Sequence, residues 1–516
     1  MTDSPRKRTA TKRVPAKRAG ASQTGSKPVS TLLSNVSELR HFFRTNDIPI
    51  YFVGATPFNL LGLDRWVRNF SYITYYDGWE GAHPHVFTPA TKPYREFDSG
   101  EAINNWLLRD PQVRAHIAAR TPKGVRPKVA MVFFDGETEN ICDELGYDLI
   151  LPSAALREHL DSKIVTTQLG TEAGAASVPH VLATAADWAQ LRAVADDAKL
   201  GPDLVVQTPY GDSGKTTFFI SAESDWDAHA DDIVGHDLKI MRRIRNLPVA
   251  VEAVLTRSGT IVGPFMSELT GYSELTPYKG GWCGNEMYPD VLTPERRSAA
   301  NELVRRLGDR LGQEGYRGFF EVDVLVDLDT DEVYLGELNP RISGASAITN
   351  VTAGAYADVP LFLFHLLEFM DVDYDLDVDE INKRWARLAS EDVWSQLVIK
   401  ETDDIVEQLT AVPPTGRYVL DSGGSLEFRQ AALDWHQLQD ENEAFFLRIY
   451  GVGEYRWKGA DLGVLVTKGR LQRETVKGGS ALTIRAHHLI ESIRSRYRGS
   501  AVVPPAGPRQ SAGLKG

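Results

Sequence analysis

The stretch from 316 to 350, YRGFFEVDVLVDLDTDEVYLGELNPRISGASAITN, constrains this chain more than any other. Phe319 to Asp327 alternates and is rich in β-branched and aromatic residues, which predicts a strand. Asp329, Thr330 and Asp331 predict a turn, and Glu332 to Leu338 predicts the returning strand. Asp323 stands among apolar neighbours on the first strand, while Glu337 precedes Leu338, Asn339, Pro340 and Arg341. A charge in a buried strand is costly unless something compensates it. Two carboxylates facing each other across a hairpin repel unless a cation sits between them. A hard divalent ion such as Mg²⁺ takes oxygen ligands of this kind and commonly holds phosphate oxygens as well. The hairpin therefore proposes a Mg²⁺–nucleotide site, with Arg341 placed to meet developing negative charge. The plainer alternative is a hairpin with its acids on a wet face.

Two upstream segments carry compatible chemistry. A helix begins at Ser153, with Leu156, Leu160, Ile164 and Leu169 as its apolar stripe, and Asp161-Ser162-Lys163 breaks it. Further on, a strand from Leu204 to Gln207 enters a loop holding Gly211, Ser213, Gly214 and Lys215, and a strand from Thr217 to Ile220 leaves it. Glycine lets backbone N–H groups approach phosphate, and lysine adds charge. This is not a Walker A loop, because the spacing is wrong and no helix follows.

The acidic residue on one strand followed by Glu337-Leu338-Asn339-Pro340-Arg341 on the next resembles the metal and catalytic element of the ATP-grasp superfamily. The resemblance implies ATP with Mg²⁺ or Mn²⁺, and an acyl-phosphate intermediate through which a carboxylate is joined to an amine. It implies Asp323, Glu337 and Asn339 as metal ligands, and Arg341 and Lys215 as catalytic cations. Lys163 matches the first phosphate-binding lysine. Gly211, Ser213, Gly214 and Lys215 match the lid over the triphosphate. Gln207 stands where the family often has a lysine, which puts one α-phosphate or adenine contact in doubt. Arg243 lies in the segment that follows the adenine with its backbone, and Glu252 matches a position near the ribose or the metal edge. The biotin carboxylase branch has a Gln and a base Glu two and four residues after its arginine; Ser343 and Ala345 stand there, so that branch's general base is missing.

The implied fold class is α/β and α+β multidomain: an ATP-grasp unit at 151–370, a parallel α/β domain before it at 31–150, and an α+β domain after it at 371–499. Ile48–Val53, Phe70–Tyr76, Lys128–Phe134 and Leu149–Leu151 are the expected strands of the first domain. Residues 267–289, rich in Gly, Pro, Glu and aromatics, are expected to be a substrate-facing loop. His83 and His85 are expected on the surface, and residues 371–380, acidic at nearly every second position, as a solvated linker.

Charge is divided unevenly. Residues 1–30 carry eight Lys/Arg and one acid, so the remainder carries a net −20. The basic arm and the Pro/Gly-rich 500–516 tail are expected to be disordered. Nucleic acid could be met through residues 1–30 alone, since the body is acidic. Two cysteines far apart fit a reducing, cytoplasmic setting, and no apolar run is long enough for a membrane. Small-molecule carboxylate and amine substrates are the expected partners, and a homo-oligomer is compatible with the sequence. Two further readings stay open: a carboxylase or carbamoyl-phosphate-like enzyme activating bicarbonate, and a non-catalytic ATP-binding protein with a nucleic-acid-binding arm.

Overall fold

The computed structural model describes residues 32–93, 97–211, 216–350, 359–388, 393–474 and 479–502. The arm at 1–30, Ser213, Gly214 and Lys215 lie outside the described residues.

The first unit is a five-stranded parallel sheet ordered Val86–Phe87, Phe70–Thr74, Ile50–Gly54, Lys128–Ala130, Asp148–Leu149. Its central strand, IYFVG, is buried throughout, as a parallel strand covered on both faces must be. The first helix is Val36–Thr45, and Asn35 caps it by accepting from the Glu38 N–H. Leu33 pairs with Tyr374 in an isolated bridge. That bridge and the helix Val378–Leu388 correct the reading of 371–380 as a solvated linker. His83 also departs from expectation: it is buried, against the Trp79 ring at 4.8 Å.

A small antiparallel sheet follows, ordered His180–Ala183, Leu238–Arg242, Leu204–Gln207, Thr217–Ile220. The largest sheet has ten antiparallel strands, running from Val333–Asn339 at one edge through Gly318–Asp327, Asn246–Thr256, Gly259–Thr270 and Trp282–Met287. It continues without interruption into Trp394–Lys400, Asp461–Lys468 and Glu443–Arg448. The chain beyond 371 therefore extends the same sheet that carries the acidic hairpin. One face packs under helix Pro294–Gln313, started by Thr293 as cap with Pro294 inside it. The other packs under helix Phe362–Glu368.

Residues 267–289 are not one loop. Ser267 to Thr270 finish a strand, and Trp282–Met287 is another, paired with it and with Trp394–Lys400. The Gly and Pro content marks only the 271–281 connection. Gly284, at φ +148, lets the strands approach: a Cβ there would lie 2.0 Å from the Gln396 carbonyl oxygen. At the other end of the chain, Ser500 and Ala501 belong to strand Arg498–Ala501, so the expected disordered tail begins too early.

Candidate active site

The acidic hairpin forms as expected, with Asp323 directly opposite Glu337 and Glu321 opposite Asn339. A bulge after Asp323 bends the strand at this point. Across the next strand, Glu321 faces Glu252. Glu268, half-buried on strand Gly259–Thr270, joins this acidic group. Burial, with Glu337 beside it, pushes the Asp323 carboxyl up to about 6, against the pull of Lys163 and Arg341. Burial and the Asp323 carboxylate push Glu321 well above the carboxylate range, and burial with Asp323 and Glu337 does the same to Glu268. These directions mean that negative charge here lacks a full complement of cations.

Cations come from elsewhere in the chain. Ser162 interrupts the helix, caps its second half and makes Lys163 the first residue of helix Lys163–Ala173. The ammonium and the positive end of that helix therefore share one place. Lys163 Nζ donates to Glu337 Oε1 at 2.7 Å and to the Gly211 carbonyl at 3.1 Å. Arg341 donates to Asn339 Oδ1 at 3.1 Å, and Asn339 Nδ2 donates to Glu321 Oε2 at 2.5 Å. Lys163, Gly211, Asp323, Glu337, Asn339 and Arg341 are thus brought together.

Of the other sequence-derived residues, Gln207 and Arg243 make contacts of their own, and Glu252 lies behind Glu321. Gln207 donates to Thr217 Oγ1 at 3.1 Å, and its Oε1 is buried without a partner. Arg243 lies over the exposed Phe219 ring at 4.9 Å. Glu252 is fully buried; its Oε1 accepts from Ser343 Oγ and Ser346 Oγ, and burial pushes it up to about 7.

Three residues escaped sequence reading. Glu268 and Glu321 are acids in apolar strands, the same signal that exposed Asp323. The third is Lys239, opposite Gln207 in the small sheet and almost wholly buried. Burial and the neighbouring Lys163 push it down to about 8, although Glu337 opposes them. Its Nζ donates to the Gly336 carbonyl at 3.3 Å. The register thus places a cation beside the very position where the expected lysine is replaced.

Among the described residues no group of three His, Cys, Asp or Glu side chains is arranged around a metal position. The donor set here is two carboxylates and one amide oxygen, which suits Mg²⁺, an ion that keeps waters and phosphate oxygens and needs few protein ligands. The site opens on a cavity of about 1600 Å³ that reaches the first unit and the far half of the large sheet.

A small antiparallel sheet set against a large sheet whose edge hairpin carries Asp323, Glu337, Asn339 and Arg341 defines the ATP-grasp fold. The fold has relatives on two grounds. A D-alanine–D-alanine ligase from Clostridium novyi is 22% identical over 253 residues, covering 47% of this chain and 72% of that protein. The biotin carboxylase domain of 2-oxoglutarate carboxylase from Hydrogenobacter thermophilus, a dimer bound to MgADP and bicarbonate, superposes with a TM-score of 0.54 at 12% identity, covering 88% of this chain and 91% of that one. An Aspergillus clavatus N5-carboxyaminoimidazole synthase in complex with ADP gives a TM-score of 0.50 at 12% identity, covering 82% and 94%. No family model matches the chain. Among the described residues no helix is long and apolar enough to cross a membrane.

Proposed function

We propose that this protein is an ATP-dependent ligase that joins a carboxylate to an amine through an acyl phosphate. The observation that carries this reading is the convergence of Lys163 and Arg341 on the facing Asp323–Glu337 pair at the mouth of a large cavity. Asp323, Glu337 and Asn339 would hold Mg²⁺, or Mn²⁺, which would supply charge neutralisation for the phosphate oxygens. Lys163, and Lys239 in the place left by Gln207, neutralise the remaining phosphate charge. The loop from Gly211 through Ser213 and Gly214 to Lys215 covers the triphosphate, and Lys215 joins Arg341 in stabilising charge on the transferring group.

The substrate carboxylate oxygen attacks the γ-phosphorus, and the bond to the ADP oxygen breaks. Arg341 stabilises the transferring group and then the tetrahedral centre formed when the amine nitrogen attacks the acyl carbon. Phosphate leaves with the C–O electrons, and the amine releases its proton to water. The side chains supply position and electrostatics, not covalent chemistry. A setting rich in ATP and magnesium, with both cysteines reduced, is the cytoplasm.

Hydroxylamine tests this. It attacks an acyl phosphate in place of the amine, so ATP, Mg²⁺ and the correct carboxylate give a hydroxamate and phosphate. Phosphate release that requires bicarbonate and yields no hydroxamate from any carboxylate would assign the chain to bicarbonate activation instead. Ser343 and Ala345, with the Ser343 hydroxyl committed to Glu252, favour the ligase.

A further inference from the structure

The cavity beyond Arg341 has two chemically different ends. At the near end Arg341 and Asn285 both line it. Asn285 is fully buried; its Oδ1 accepts from Trp282 Nε1 at 3.0 Å, and its Nδ2 has no partner. The indole N–H fixes the amide orientation, so the orphan atom is a donor. A buried donor without an acceptor is costly, and an incoming carboxylate oxygen would satisfy it.

At the far end the walls are aromatic, and they come from both ends of the chain. Tyr75 and Tyr76 belong to the first unit, Tyr450 follows strand Glu443–Arg448 of the large sheet, and Trp457 ends strand Tyr455–Trp457 of a separate three-stranded sheet. Tyr76 meets Tyr450 edge-on at 5.0 Å, and Tyr450 lies 5.7 Å from Trp457. The charges here are already paired: Lys92 Nζ sits 3.3 Å from Glu454 Oε1, above the Tyr75 and Tyr76 rings at 4.9 and 5.4 Å. That end therefore offers ring faces and no uncompensated charge. The volume, about 1600 Å³, exceeds the roughly 300–1,000 Å³ that a compact small molecule needs.

We infer that the carboxylate substrate is elongated, its carboxylate held by Arg341 and the Asn285 amide and its aromatic body seated against the continuous wall that Tyr76, Tyr450 and Trp457 form. This rests on the ligase reading for its reaction, but the binding it describes can be measured without turnover. It gives the part of the chain beyond 371 a role: it builds the selectivity wall of the substrate cavity. Trp457 is 44% exposed, so replacing it removes little core packing.

The test is calorimetric titration of the full-length protein, without ATP, with phenylalanylalanine, alanylalanine and phenylalanylalanine amide. The aromatic acid is expected to bind about tenfold more tightly than the aliphatic one, the worth of about one good ring contact. W457A is expected to abolish that preference. N285D is expected to weaken both acids and to spare the amide, because it replaces the donor with a like charge. Equal binding of the two acids, or a preference that W457A leaves intact, would overturn the inference. A parallel assay of phosphate release keeps the two readings apart. Aromatic preference without turnover on any carboxylate would count against the ligase and not against the pocket.

Discussion

Lys163 and Glu337 stand 174 residues apart in sequence and 2.7 Å apart in space. The pair joins the start of a helix to the edge hairpin of the large sheet, and it holds the Glu337 carboxylate beside Asp323. Lys163 is 5% exposed, so its charge is not screened as a surface lysine's would be. A K163M substitution leaves two facing carboxylates with one fewer cation. We expect kcat/KM for ATP to fall by about 10²–10³, the usual cost of losing one charge-stabilising donor. The ligand-free protein is also expected to melt at a lower temperature, which differential scanning calorimetry reads. Unchanged kcat/KM would remove Lys163 from the site.

Lys239 faces Gln207 across the small sheet and is nearly fully buried. If it supplies the cation that Gln207 does not, K239M weakens nucleotide binding by about tenfold, and adding Q207K restores most of it. Titration with ADP and Mg²⁺ reads both. A Q207K/K239M protein no better than K239M would contradict the exchange of roles.

Gly344 lies under Trp282, where an added Cβ would sit 2.5 Å from the indole Cη2. A G344A substitution must tilt the ring and release Asn285 Oδ1 from Trp282 Nε1. We expect KM for the carboxylate to rise by about tenfold or more while ATP binding is kept, since displacement of a positioning group is felt in substrate geometry. Steady-state kinetics with each substrate varied in turn separates the two.

The acidic hairpin was readable because charges inside alternating apolar strands are conspicuous, and the structure brings Asp323, Glu337, Asn339, Arg341 and Lys163 to one place. Lys239 was not readable: a lysine in a short strand looks solvated until strand pairing puts it under another sheet. Glu268 was hidden for a related reason. Gly271, Gly280, Gly281 and Gly284 gave its surroundings the composition of a loop, whereas Gly284 serves close strand approach. The continuity of the ten-stranded sheet past 371 depends on the pairing of Trp282–Met287 with Trp394–Lys400, a long-range register that no local pattern announces. His83 reads as a surface residue because its packing against Tyr72 and Trp79 has no signal in the sequence.

His365 ties the first unit to the hairpin. Its Nδ1 accepts from the Phe319 N–H at 3.0 Å and its Nε2–H donates to the Ile150 carbonyl at 2.8 Å. Burial holds it neutral and pushes it down to about 3 from an ordinary 6.5. The unfolded chain therefore binds a proton that the folded one refuses. Its contribution is complete above pH 6.5 and is lost as pH falls toward about 3. The slope approaches about 1.4 kcal/mol per pH unit within that window. Urea unfolding of the protein and of H365N across that range should differ in slope by this amount. Equal slopes would show that His365 is not neutral in the folded state.

The central claim is tested most directly by phosphate release from ATP and Mg²⁺ with a carboxylate and an amine added separately and together, and with E337A as control. The account predicts release that needs both substrates, a new amide in equal amount, and loss of both in E337A. Release that requires bicarbonate but no amine, or release that E337A leaves intact, would contradict it.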